Sequence, residues 1–188
     1  MSAARGALRS RLARCCAARR WVDEMVEQAP WRDLDALLGA GDDAFDALER
    51  SDWLEAFAAH PRIGDLDALR RRFDTEAGDP RALELAASEQ AAAAGAAEAT
   101  LRALANGNAR YRERFGYIFI VFASGKGAEE MLRLLDQRLG NDPDRELRIA
   151  ASEQRKITHK RLAEAAAEIL AAGAEAGGDV PSSPEEVP

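Results

Sequence analysis

Histidine and cysteine are scarce in this chain, with two of each in 188 residues. The cysteines, Cys15 and Cys16, are neighbours, and adjacent residues rarely bridge. His60 and His159 stand far apart, with no His-x-x-x-His spacing and no Cys/His cluster. A metal hydrolase therefore lacks its ligands, and no metal is expected. Unpaired cysteines fit a reducing, cytoplasmic setting. No apolar run approaches the ~20 residues that would span a bilayer, so no membrane partner is expected. Positive charge is also short: the net charge is −7. An acidic surface argues against nucleic acid as a partner, although local arginines can still hold a small anion. Aromatic residues make up only 6%. The single strongly β-branched and aromatic run is "YIFIVFA", residues 117–123.

What the chain has in quantity is alanine, with leucine, glutamate and arginine around it, and these residues favour helix. The expected fold class is all-α, a single multi-helix domain over residues 1–172, followed by a disordered acidic tail over 173–188. Leu8, Leu12, Cys15 and Cys16 recur at helical spacing, so the cysteines should face a core. The Arg-rich start also admits a transit peptide. "RWVDEMVEQAP" predicts a second helix stopped by Pro30. Asp33 should cap a third that breaks near "GAGDD", and Ser51 should cap a fourth that stops at His60. A short helix over "DLDALRRRF" and a loop at "EAGDP" follow. Arg81 to about Leu104 predicts a long helix with Leu83, Ala87, Gln90, Ala94, Ala97, Leu101 and Leu104 on one stripe. "NGNARYRERFG" should begin another helix. The "YIFIVFA" run has no partner strand, so it reads as a buried helix segment or an extended crossing of the core. Ser124 should cap a helix ending at Gly140. Asn141 or Asp142 should cap a last helix with Pro143 in its first turn.

Three polar features stand out. His60 precedes Pro61 where a helix must stop. It is either a structural helix-end histidine or a proton-transfer group suited to neutral pH. Gln90 falls on an apolar stripe, where its amide needs partners, and Glu89 edges the same face. In the last helix Leu147, Ala151, Gln154, Ile157, Thr158 and Arg161 fall along one side. An arginine there either snorkels outward or binds a buried anion. Arg155, Lys156, Lys160 and His159 read as surface. "SGKG" at 124–127 lacks the first half of a phosphate loop and reads as a turn.

Taken in order, "DWLEAFAAHPRIGD", the "EQ" of "ASEQAAAAG", "YRERFGYIFIVFASGKGAEEML" and "GNDPDRELRIAASEQRKITHKRL" resemble the 2-oxo-4-hydroxy-4-carboxy-5-ureidoimidazoline (OHCU) decarboxylase family over about residues 8–168. The resemblance implies a helical fold, a homodimer, and decarboxylation of OHCU to (S)-allantoin in urate breakdown without a metal or organic cofactor. It assigns catalysis to His60 and Glu89. It assigns substrate binding to Pro61, Gln90, Arg161 and the backbone of Phe119, Ile120, Val121, Phe122 and Ala123. Related sequences often carry a serine and a cysteine where this chain has Ala86 and Phe122. The other class weighed is a catalytically inactive helical binding module on the same scaffold.

Overall fold

The computed structural model describes residues 3–60 and 87–177, and of residues 87–94 and 96 the backbone alone. The helix expected at "DLDALRRRF", the "EAGDP" loop, Pro61 and residues 178–188 lie outside the described residues. Among the described residues there are eight helices and no strand, so the chain is all-α. They are α1 (Ala3–Cys15), α2 (Arg19–Gln28), α3 (Leu34–Asp46), α4 (Arg50–Ala58), α5 (Ala87–Phe115), α6 (Ala128–Leu139), α7 (Pro143–Glu164) and α8 (Ala166–Gly177). They fall into two compact units. One comprises the described parts of Met1–Ala59 and Gln154–Pro188, the other those of His60–Glu153. The division falls inside α7.

In the first unit α1 packs on α8 and α2, and α2 packs on α3 and α4. Leu8, Leu12, Cys15 and Cys16 are all buried, as their spacing predicts. Asp33 caps α3, its carboxylate accepting the Ala36 amide at 2.9 Å. The break expected at "GAGDD" does not occur. Gly41 is helical; a Cβ there would come within 2.4 Å of Leu162 Cδ1, and its carbonyl accepts the Trp21 indole N–H at 2.9 Å. The close approach of Leu162, rather than a turn, explains this glycine. Ser51 is not the cap of α4. Glu49 takes that place, in a reciprocal pair with the backbone and side chain of Asp52. The helix ends at Ala58, just ahead of His60 and Pro61.

The second unit is built on α5 against α6. α5 runs without a break through "NGN", where a helix boundary was expected, and Ala97 is exposed rather than on the buried stripe. Leu101, Leu104 and Tyr111 are buried along it. α6 starts at Ala128 with Gly127 as its cap, so Ser124 belongs to the preceding turn, where Gly125 has φ +72°. Asp142 caps α7, its carboxylate accepting the amides of Asp144 and Arg145 at 3.0 and 3.3 Å. The expected single last helix is interrupted at Ala165, and α8 then continues to Gly177, past the predicted end of the folded part.

Candidate active site

Residues 117–123 cross between α5 and α6 with neither helix nor ladder, and Tyr117, Phe119, Ile120 and Val121 are buried. The core crossing, not the buried helix segment, is the outcome of the two sequence readings. Buried backbone of this kind must find side-chain partners. Asn108 Oδ1 on α5 accepts the Phe119 amide at 3.0 Å. Arg138 Nη1 on α6 donates to the Ile120 carbonyl at 2.7 Å. Glu153 Oε2 on α7 accepts the Phe122 amide at 2.7 Å. The run thus hangs on three side chains from three helices. The amides of Phe119 and Phe122 are engaged by the protein itself.

Arg138 continues a buried face with Met131 and Leu135 and is only 8% exposed. Its Nε and Nη2 meet Glu146 Oε1 at 2.7 and 2.6 Å, and Glu146 is fully buried. The Tyr111 hydroxyl donates to the same carboxylate, and Asn141 Nδ2 donates to Glu146 Oε2 at 2.6 Å. The guanidinium carbon lies 4.6 Å from the Phe119 ring centroid, so the cation also rests on an aromatic face. Burial first, then the bond to Glu146, push the Tyr111 phenol far above its ordinary range, which keeps it a donor. A charged pair so deeply buried is tolerable because its hydrogen bonds are met within one connected network. Sequence reading passed over Arg138, Glu146, Asn108 and Glu153. The signal for Arg138 was present, since it sits seven residues after Met131 on a helical stripe.

His60 follows the C-cap residue Ala59 and is half-buried. Glu89 and Gln90 stand in the first turn of α5 by their backbone, and their side chains lie outside what the structure describes. Arg161 belongs to the first unit. It is half-buried, and its Nη1 reaches the carbonyls of Arg14 and Cys15, each at 3.5 Å. These are last-turn carbonyls of α1, which lack helical partners and carry partial negative charge. Both contacts are at the long limit for a hydrogen bond. One and two helical turns earlier, Thr158 and Gln154 are buried, with Gln154 Nε2 donating to the Thr158 hydroxyl at 3.3 Å. His159 is exposed, as expected, with Nδ1 3.4 Å from Asp42. Arg155 is not simply solvated: it pairs with Asp42 and Asp46 at 3.0 and 2.7 Å.

A sequence model of the OHCU decarboxylase family matches residues 1–163. The chain belongs to the OHCU decarboxylase family. It is 38% identical over 150 residues to the "uric acid degradation bifunctional protein TTL" of Arabidopsis thaliana, covering 79% of this chain and 44% of that protein. The chain thus spans under half the length of that curated relative. It is 28% identical over 145 residues to the 2-oxo-4-hydroxy-4-carboxy-5-ureidoimidazoline decarboxylase of Haloferax volcanii, covering 77% of this chain and 80% of that one. Among solved structures, an OHCU decarboxylase determined in the presence of (S)-allantoin superposes with a TM-score of 0.62 at 32% identity. The match covers 81% of this chain and 94% of the other. That OHCU decarboxylase thus shares the helical fold seen here.

Proposed function

We propose that this chain decarboxylates OHCU to (S)-allantoin in urate degradation, without a metal or organic cofactor. The observation that carries the reading is the match to the OHCU decarboxylase family over residues 1–163, supported by the fold shared with a family member determined in the presence of (S)-allantoin.

The chemistry needs no electron sink beyond the substrate. OHCU carries a carboxylate and a hydroxyl on one ring carbon, beside a ring C=N. As the bond to the carboxylate breaks, its electron pair moves toward that C=N, whose nitrogen takes up a proton. The enol left behind then loses its hydroxyl proton and gains a proton on the adjacent ring carbon. The protein has to position the ring, exclude water and deliver protons to one face. In this proposal His60 handles the hydroxyl proton or the returning one. Glu89 orients the imidazole and balances its charge, and Gln90 holds a ureido or ring carbonyl. Arg161 binds anionic oxygen, while Pro61 and the backbone of 119–123 contact the ring. Protonation on a single face yields one enantiomer. A homodimer in the cytoplasm belongs to the same proposal and rests on the family resemblance; sedimentation at working concentration tests the dimer.

Circular dichroism during urate oxidation tests the function. The protein is added to urate oxidase plus hydroxyisourate hydrolase. A single optically active product is expected. Racemic product at the spontaneous rate would instead mark an inactive module.

A further inference from the structure

The side chains that hold residues 119–123 differ in how deeply they are set. Asn108 and Arg138 are buried, at 5% and 8% exposure, and serve the core of their unit as well. Glu153 is half-buried. A glutamate in the middle of α7 would ordinarily point into water. Here its Oε2 is 2.7 Å from the Phe122 amide, a charge-assisted bond to backbone that has no ladder of its own.

We infer that Glu153 is a positioning residue: its carboxylate fixes the Phe122 peptide and with it the course of the substrate-contacting run. This rests on the proposed contact between that run and OHCU. Asn108 sets the position of Phe119, Arg138 that of Ile120 and Glu153 that of Phe122, ahead of the turn at Ser124 and Gly125. Releasing the Glu153 bond lets the Phe122 peptide swing while the core stays packed. The ring of Phe122, which stands where relatives often have cysteine, would move with it. Lys126 Nζ lies 5.9 Å from that ring centroid, so the same peptide also governs where a cation sits at the start of the following turn.

The test compares wild type, Glu153→Ala and Glu153→Gln in the full chain. Measured are KM and kcat for OHCU, thermal unfolding, and the backbone amide resonance of Phe122. Loss of the acceptor is expected to raise KM about 10-fold or more with kcat changed less than about 3-fold, since the run binds rather than reacts. Glu153→Gln retains a carbonyl acceptor and is expected to restore KM to within about 3-fold. The Phe122 amide proton should move upfield in Glu153→Ala. Unchanged KM in Glu153→Ala, or a Phe122 resonance that does not move, overturns the inference. So does a KM defect that Glu153→Gln fails to repair. A wild-type protein with no activity would overturn the decarboxylase reading instead, and the Phe122 resonance would still decide whether Glu153 holds this peptide.

Discussion

Gly107 on α5 faces Leu135 on α6 with no space for a methyl group: a Cβ at 107 would lie 2.3 Å from Leu135 Cδ2. Leu135 is fully buried and cannot swing into solvent. Gly107→Ala gains about 1 kcal/mol of helix propensity but forces overpacking that typically costs about 1–3 kcal/mol. A net loss of about 1 kcal/mol is expected by denaturant unfolding. In a Leu135→Ala background the clash is gone, so the same substitution should become stabilising. A destabilising effect of equal size in both backgrounds would mean that the contact is not what requires glycine.

That contact explains why "NGN" misleads. Asn, Gly and Asn read locally as a helix end. Here Gly107 allows α6 to approach and Asn108 turns inward to hold Phe119. Both reasons lie in segments distant in sequence. The all-α class, the capping by Asp33 and Asp142 and the burial of Cys15 and Cys16 were legible because each depends on neighbours within a turn or two. Arg161 was picked out by its stripe, while Arg138 satisfies the same criterion and was missed. For His60 and Arg161 local physics leaves two readings each, and the site role proposed for them rests on the family blocks.

Glu146 should tolerate little change. It is fully buried and accepts from Arg138, Tyr111 and Asn141. Glu146→Ala leaves the Arg138 cation without its counter-charge, and loss of one partner from a buried pair costs about 3–5 kcal/mol. Tyr111→Phe removes a hydroxyl that donates to Glu146 and accepts from Arg138 Nη2 at 3.4 Å but leaves the charged pair in place, and should cost about 1 kcal/mol. Urea unfolding of the two variants would show the difference. Equal costs would argue against the pair as the centre of the network.

The two thiols should be silent in the native protein. Burial pushes Cys15 from 9.0 up to about 11, against the lowering influence of Arg161 and Arg14, and pushes Cys16 up as well. A thiol whose folded pKa is raised adds stability that is complete below the unfolded value. That stability fades as pH rises from about 9 toward 11. Ellman's reagent at pH near 8 is expected to react only as fast as the chain unfolds, and wild type should lose more stability across this alkaline window than Cys15→Ala. Rapid labelling of native protein would contradict the burial of both sulfurs.

His60→Ala should lower kcat for OHCU by about 10²–10⁴-fold while thermal unfolding shifts by no more than a few degrees, in keeping with loss of a proton-transfer group. Arg161→Ala should act mainly on KM. Stereospecific allantoin formed at the wild-type rate by His60→Ala would remove that residue from the mechanism. An unchanged KM in Arg161→Ala would leave its reach to the α1 carbonyls as its whole role.

The aromatic residues are divided between the two units. All three tryptophans, Trp21, Trp31 and Trp53, lie in the first, where the Trp21 indole is buried and bonded to the Gly41 carbonyl. Both tyrosines, Tyr111 and Tyr117, lie in the second. The chain therefore carries its own pair of optical labels. Indole emission reports the melting of one unit and phenol absorbance that of the other, so a single unlabelled sample can show whether the two units unfold together or in turn.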